Sequence, residues 1–420
     1  MKKILLIVLG VLVLAAGGWY WYAKKHQTAP GVPAVTDFGA FFPIGANTAP
    51  SIEGQLQSPD SVATTDIQQK NSPFTQLSPD AVAGFTAYTY IEKVKVLSDP
   101  SNPKSKVIEQ SVPHHVVRYV SRANGYVYEI VDGSIPLQIT NVYIPNIYEA
   151  SFADNNQTAV LRFLRDDQQT IATYSVPIPL PNPDGTRTQK EGTYFPDNIL
   201  QLAPSPSGGT SIARLTSDPT SALLSITNSI NAKKVDLLRT PFREWILSWV
   251  SPKTLYVQTK ASAQVAGFLY SIDTTERKLR RVLGNINGLT TSVSPSGTYI
   301  LYSQNSGQGF VTKLFNTKTS ATQSLTLSIL PEKCAWSSLE DVFCAGTTTL
   351  TPAVYPDAWY QGTVSFSDQL YHIYTKSVIY DTLYDNSGQS FDMTNLQVNE
   401  DQRILYFMDK TSGVLWQYQY

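Results

Sequence analysis

Cysteine is nearly absent. The 420 residues hold two, Cys334 and Cys344, and neither lies near the N-terminus. That number and spacing exclude a Cys-rich zinc site and a lipobox-type lipidation site. Histidine is as scarce: His26, His114, His115 and His372 show no HExxH or similar ligand spacing. The adjacent pair His114–His115 would face opposite sides of a strand and so cannot readily share one metal. No metal or other cofactor is expected. Nucleophilic catalysis needs an activated Ser or Cys beside a base, yet no Gly-x-Ser-x-Gly elbow occurs. Charged residues make up only 15%, against roughly 25% in an average soluble domain. Without a basic cluster along its body, the chain is a poor partner for a phosphate backbone, and no nucleic acid is expected. Long Ala/Leu/Glu/Lys stretches of the helical kind are also missing beyond the N-terminus.

The basic residues that exist are unevenly placed. Lys2–Lys3 and Lys24–Lys25 flank an uncharged run from Ile4 to Tyr22. About 19 residues at 1.5 Å each give about 28 Å, close to the hydrocarbon thickness of a bilayer. Trp19, Tyr20, Trp21 and Tyr22 have the character of an interfacial aromatic belt. Residues 1–25 are therefore expected to be a single transmembrane anchor, N-terminus cytoplasmic, with the remainder on the extracytoplasmic side. A cleaved signal peptide is the alternative, since Ala15-Ala16-Gly17 offers small residues. Residues 26–74, rich in Pro, Ser, Thr, Ala and Gln without a 3.6 or 2.0 period, read as a flexible linker.

From residue 75 to 420 the dominant signal is a repeat. Ser205-Pro206-Ser207-Gly208 and Ser294-Pro295-Ser296-Gly297 are near copies, each between an apolar approach strand and an alternating strand. Gly supplies positive φ and Pro presets the turn. Weaker versions follow Trp249 and Trp336 and surround Ala153 and Asn399. Taking the residue before each turn as a marker gives Ala153, Ser205, Ser251, Ser294, Ser337 and Asn399. The central spacings of about 43–46 residues match one four-stranded propeller blade. The longer end intervals contain insertions, at Pro181–Gly192 and around Tyr355–Gly362. A further blade fits ahead of Ala153, built from GFTAYTY, VVRYV, GYVYEI and LQIT. The expectation is an all-β propeller, with seven four-stranded blades.

These turns and strands resemble the WD40-like repeats, of the PD40 type, found in TolB-like propellers and in the propeller domains of prolyl oligopeptidase-type peptidases. The Gly-His and Trp-Asp signatures of eukaryotic WD40 blades are absent. The layout also resembles uncharacterised membrane-anchored propellers of the bacterial envelope. The resemblance implies blade architecture rather than chemistry, because propellers host many unrelated functions. The peptidases with this blade type carry their triad on an α/β-hydrolase domain, which this chain lacks.

Few residues stand out as sites. Cys334 and Cys344 lie symmetrically about Leu339, so a hairpin turn at Ser337–Asp341 would set them opposite each other. They are either disulfide-bonded or two buried free thiols. Tyr355, Trp359 and Tyr360 lie in the most unusual loop. They either stack on a ligand such as a sugar or plug a gap between blades. Asp154-Asn155-Asn156 and Pro181–Gly185 lack the ligand density of a calcium loop and read as turns. The function expected is non-catalytic binding or scaffolding in the cell envelope, with a protein or glycan partner. The alternative is a hydrolase or lyase with its site at the central channel, which would require titratable groups converging there.

Overall fold

A computed structural model of the protein describes residues 72–420, apart from 99, 102–103, 183–184 and 207. It is all-β, with seven antiparallel four-stranded sheets. A first strand, β1 (Phe74–Gln76), precedes the blades. Blade 1 is β2 (Val82–Leu97), β3 (Val107–Ser121), β4 (Val127–Val131) and β5 (Leu137–Gln138). Blade 2 is β6 (Ile147–Ala153), β7 (Thr158–Leu164), β8 (Ile171–Pro177) and β9 (Thr193–Tyr194). Blade 3 is β10 (Ile199–Pro204), β11 (Ser211–Ser217), β12 (Ala222–Asn228) and β13 (Lys234–Thr240). Blade 4 is β14 (Trp245–Ser251), β15 (Thr254–Thr259), β16 (Ala266–Asp273) and β17 (Leu279–Asn287). Blade 5 is β18 (Thr291–Val293), β19 (Tyr299–Asn305), β20 (Phe310–Asn316) and β21 (Thr322–Ser324). Blade 6 is β22 (Cys334–Trp336), β23 (Val342–Gly346), β24 (Gln369–Tyr374) and β25 (Ile379–Tyr384). Blade 7 has three strands of its own, β26 (Met393–Asn399), β27 (Ile404–Asp409) and β28 (Leu415–Gln419). Its fourth is β1, which pairs with β28. The chain thus closes its ring by joining the first described strand to the last.

The repeat markers have a common structural meaning. Each lies at the end of the innermost strand of its blade or one residue beyond it, where the chain turns into the second strand. Gly208 (φ +69°) and Gly297 (φ +72°) take the left-handed conformation their turns need. A Cβ at Gly208 would collide with the Asn155 side chain at 2.1 Å. The turn of blade 3 therefore packs directly on the turn of blade 2.

The core lies in layers between blades rather than in one central mass. One layer joins Ala213, Leu215 and Leu224 of blade 3 to Trp245, Leu255 and Val257 of blade 4. Second strands are enclosed on both faces: Thr158–Leu161 and Ile404–Phe407 are buried without interruption. Outermost strands such as Thr322–Ser324 are exposed throughout. This explains why second strands read as continuous apolar runs and outer strands carry almost no signal.

The expectation of a single-pass membrane protein is corrected. Among the described residues no helix is long and apolar enough to cross a membrane. The longest α-helix there is one turn, α1 (Asp357–Tyr360), because the period-2 pattern that builds blades leaves no room for a long helix. Ile4–Tyr22, with Trp19, Tyr20, Trp21 and Tyr22, lies outside the described residues, as does nearly all of the linker.

Candidate functional site

Blade 1 departs from its siblings in one respect. Its β2–β3 hairpin runs far past the blade, in continuous register from Gly84↔Val120 to Leu97↔Val107. Because strand side chains alternate, the even-numbered residues of β2 share one face: Tyr88, Tyr90, Glu92, Val94 and Val96. The lower part of this arm forms one wall of a cleft of about 930 Å³. The other walls are the turn after β6, the turn after β10, and Leu180–Pro181 in the blade 2 insertion. Turns after innermost strands lie on the same side of the disc as those after third strands, so the insertion and the arm converge there.

The cleft floor is held by a charge triad. Glu129 on β4 receives Arg118 Nη2 on one oxygen and Arg187 Nη2 on the other, both at 2.6 Å. The Arg118 and Glu129 side chains are only 5% and 8% exposed. Arg118 also donates to the carbonyl of Asn156, and its guanidinium lies 5.4 Å from the Tyr88 ring centroid. Asp154, Asn155 and Asn156 all have positive φ, at 55°, 51° and 63°. Three consecutive non-glycine residues in this region store strain, tolerated because Asx side chains bond locally. Thr86 Oγ1 donates to Asn156 Oδ1 at 3.0 Å and helps hold the turn. Burial raises the hydroxyl pKa of both Tyr88 and Tyr90 above the usual phenol value. Both remain neutral hydrogen-bonding groups at physiological pH.

Above the cleft, His114 joins the arm to the blade. Its Nδ1 lies 2.7 Å from Asp132 Oδ2 and its Nε2 3.0 Å from Glu92 Oε2. The imidazole stacks on Tyr90 with centroids 5.1 Å apart. His115 points to the opposite side, to Thr89 Oγ1 (3.0 Å) and Asn399 (3.2 Å). The neighbours therefore face opposite sides, as strand alternation requires.

The residues singled out in the sequence lie elsewhere. Cys334 and Cys344 are register partners across β22–β23, with their sulfurs joined and Cα atoms 4.1 Å apart. Tyr355 and Trp359 are 0% and 5% exposed and pack with Phe310, Leu330 and Phe366. Trp359 Nε1 donates to Asp392 at 3.0 Å. These two rings are enclosed and cannot stack on a ligand; only Tyr360, 39% exposed, reaches the surface. The loop is a plug between blades, its Tyr355 and Trp359 rings enclosed among Phe310, Leu330 and Phe366. The cleft itself escaped sequence reading. Its one visible signal was the unusual length of the strand pair ahead of Ala153.

No protein-family model and no curated protein matches this sequence. Among solved structures the chain is similar to TolB from Acinetobacter baumannii, at 13% identity over 73% of this chain and 81% of that one, TM-score 0.41. It is similar to the propeller domain of the Trilobed protease from Pyrococcus furiosus, at 9% identity over 73% and 91%, TM-score 0.47. It is also similar to oligogalacturonate lyase from Vibrio parahaemolyticus, at 9% identity over 81% and 98%, TM-score 0.49.

Proposed function

We propose that this propeller is a non-catalytic binding module and that the cleft beside the long arm is where it docks an extended segment of a partner protein. The observation that carries this is the triad: Glu129 spends both oxygens on guanidinium groups. Arg118 binds one oxygen through both Nε and Nη2 and Arg187 binds the other, so the carboxylate is committed to two guanidinium groups and the floor is rigid and shaped rather than reactive. The innermost strands support the same reading. Across all seven, the carboxylates are Glu92, out on the arm, and Glu149, bonded to Arg162. A hydrolase or lyase working at the central channel would need free titratable groups there, and these strands do not supply them.

The wall of the cleft suits a polypeptide. Past Tyr90, the same face of the arm carries Val94 and Val96, with Val112 and Ile108 opposite Glu92 and Val96. This aliphatic stripe continues the cleft outward beside strand edges that no other strand of the sheet covers. Extended peptides bind such edges through main-chain hydrogen bonds and side-chain contacts. The test is selection of displayed peptides on the full-length protein, repeated with Leu180→Arg. Leu180 lines the cleft and is 60% exposed, so the change blocks the cleft without disturbing the core. Selected peptides are expected to bind the variant about 10-fold or more weaker, a loss of at least about 1.4 kcal/mol. Peptides that bind both forms equally, or no enrichment at all, would sink the proposal.

A further inference from the structure

At the boundary of blades 6 and 7 a lysine is enclosed with two aspartates. Lys333 ends a single 3-10 turn (Pro331–Lys333) immediately before β22 and is 0% exposed. Its Nζ contacts Asp392 Oδ1 and lies 2.8 Å from Asp368 Oδ2. Both carboxylates are as buried as the amine. Aromatic rings close the site: Nζ is 4.8 Å from the Phe366 centroid and 5.2 Å from that of Trp359. Asp392 Oδ2 accepts from Ser365 Oγ (2.9 Å), Trp359 Nε1 (3.0 Å) and the Phe366 N–H (3.2 Å). Asp368 Oδ2 also accepts the Met393 N–H at 2.6 Å, while its buried Oδ1 has no partner among the described residues.

An ion triad of this kind is costly. Each charge taken out of water loses several kcal/mol of solvation, which mutual attraction only partly returns. The same surroundings favour a different outcome for an amine held against a carboxylate. Water is excluded, the two groups are held at an effective concentration on the order of 10⁵ M or more, and three donors converge on the oxygen that would carry charge in a tetrahedral intermediate.

We propose that Lys333 and Asp392 condense to an intramolecular isopeptide bond, with Asp368 relaying the protons. The Nζ–Cγ bond forms and the Cγ–Oδ1 bond breaks. Two of the three ammonium protons leave with Asp392 Oδ1 as water, relayed by the Asp368 carboxylate, whose Oδ2 lies 2.8 Å from Nζ, and Asp368 ends as it began. No oxidant or cofactor enters the balance. Burial pushes the Asp368 carboxyl up to about 6, against attraction from Lys333, so it exchanges protons close to neutrality. Burial also pushes Asp392 upward, but the Lys333 charge and the hydrogen bonds outweigh it and hold that carboxyl below its ordinary value. Asp392 therefore starts ionised, which is why the reaction needs the relay. The product would tie the entrance of β22 to that of β26, joining blade 6 covalently to the blade that closes the ring.

The test is the intact mass of the full chain, purified, reduced and denatured. The expected mass is one water below that of the sequence, with a branched peptide joining Lys333 to Asp392 after proteolysis. Lys333→Met and Asp368→Asn are expected to restore the sequence mass. Asp368→Asn keeps the side-chain volume and an acceptor for Met393, so it reports on the reaction in a folded chain. A wild-type mass equal to the sequence mass would overturn the proposal. So would water loss mapped to any other residue pair, including Lys333–Asp368, or condensation that persists in Asp368→Asn.

Discussion

Phe74 stands opposite Tyr418 across the β1–β28 pair, with their ring centroids 4.8 Å apart. The same phenylalanine ring meets Tyr384 of blade 6 at 4.8 Å and Phe391 at 4.9 Å. One residue at the start of the described chain therefore completes blade 7 and fastens it to blade 6. Strand pairing alone is weak for a three-residue strand, so the ring closure depends on this side chain.

Replacing Phe74 by Ala is expected to cost about 3–5 kcal/mol, as for other buried Phe-to-Ala changes. Urea unfolding followed by tryptophan fluorescence reads it as a lower midpoint. Because β1 is the clasp, amide exchange along β28 should also accelerate more than exchange in β15 on the far side of the ring. Equal acceleration in both strands would mean that β1 is not a clasp.

Glu129 supplies a second prediction through contrast. Glu129→Ala leaves two guanidinium groups without their shared partner, one of them almost fully buried, and is expected to cost about 3–5 kcal/mol. Asp197→Ala removes a surface pair with Arg165, in which both side chains are over 40% exposed. That change should cost under about 1 kcal/mol. Similar costs in the two variants would contradict the structural role given to the triad. Glu129→Ala should also abolish peptide binding at the cleft even where the chain remains folded.

Much of this architecture was legible from turns and second strands. The markers Ser205, Ser251, Ser294 and Ser337 fall at equivalent points because each blade must reverse direction at the same radius. What escaped was set by long-range pairing. Nothing local in Phe74–Gln76 says that it belongs beside Leu415–Gln419, so the strand that completes blade 7 was not legible. The polar residues of second strands were hidden for a related reason. Arg162 looks like an exposed strand residue, yet it is 4% exposed and donates to the carbonyls of Ile199 and Leu200 in the next blade. Gln258 likewise donates to the Leu289 carbonyl at 3.1 Å. These side chains satisfy backbone groups across a blade boundary, and alternation within one strand cannot reveal a partner in another sheet. For the Tyr355–Gly362 loop the sequence offered two readings, and the burial of Tyr355 and Trp359 fits the plug between blades.

The Cys334–Cys344 bond closes a short loop within blade 6. On the chain-entropy account a loop of this length stabilises by about 2–3 kcal/mol. The Cys334→Ala/Cys344→Ala double variant should lower the thermal midpoint by a corresponding amount, and the wild type under reducing agent should match it. A wild type insensitive to reductant and equal in stability to the double variant would show that the bond contributes nothing.

The arm should respond to pH through His114. The Asp132 hydrogen bond, aided by Glu92, raises the imidazole pKa above its ordinary 6.5. The folded value exceeds the unfolded one, so the protonated contact is fully present below about pH 6.5 and is lost as pH rises through the folded value. Asp132 is held low mainly by the His115 N–H and then by His114, so its own contribution is lost only under strong acid. As the pH rises through that raised value the Glu92–His114–Asp132 bridge therefore loses its imidazolium charge. Hydrogen exchange at Glu92–Leu97 should speed up between pH 6.5 and 8 beyond the intrinsic base dependence, and peptide affinity at the cleft should fall over the same range. His114→Gln should exchange quickly at both pH values and bind with a flat pH profile. An arm whose protection is unchanged across that range in the wild type would show that the bridge does not position it.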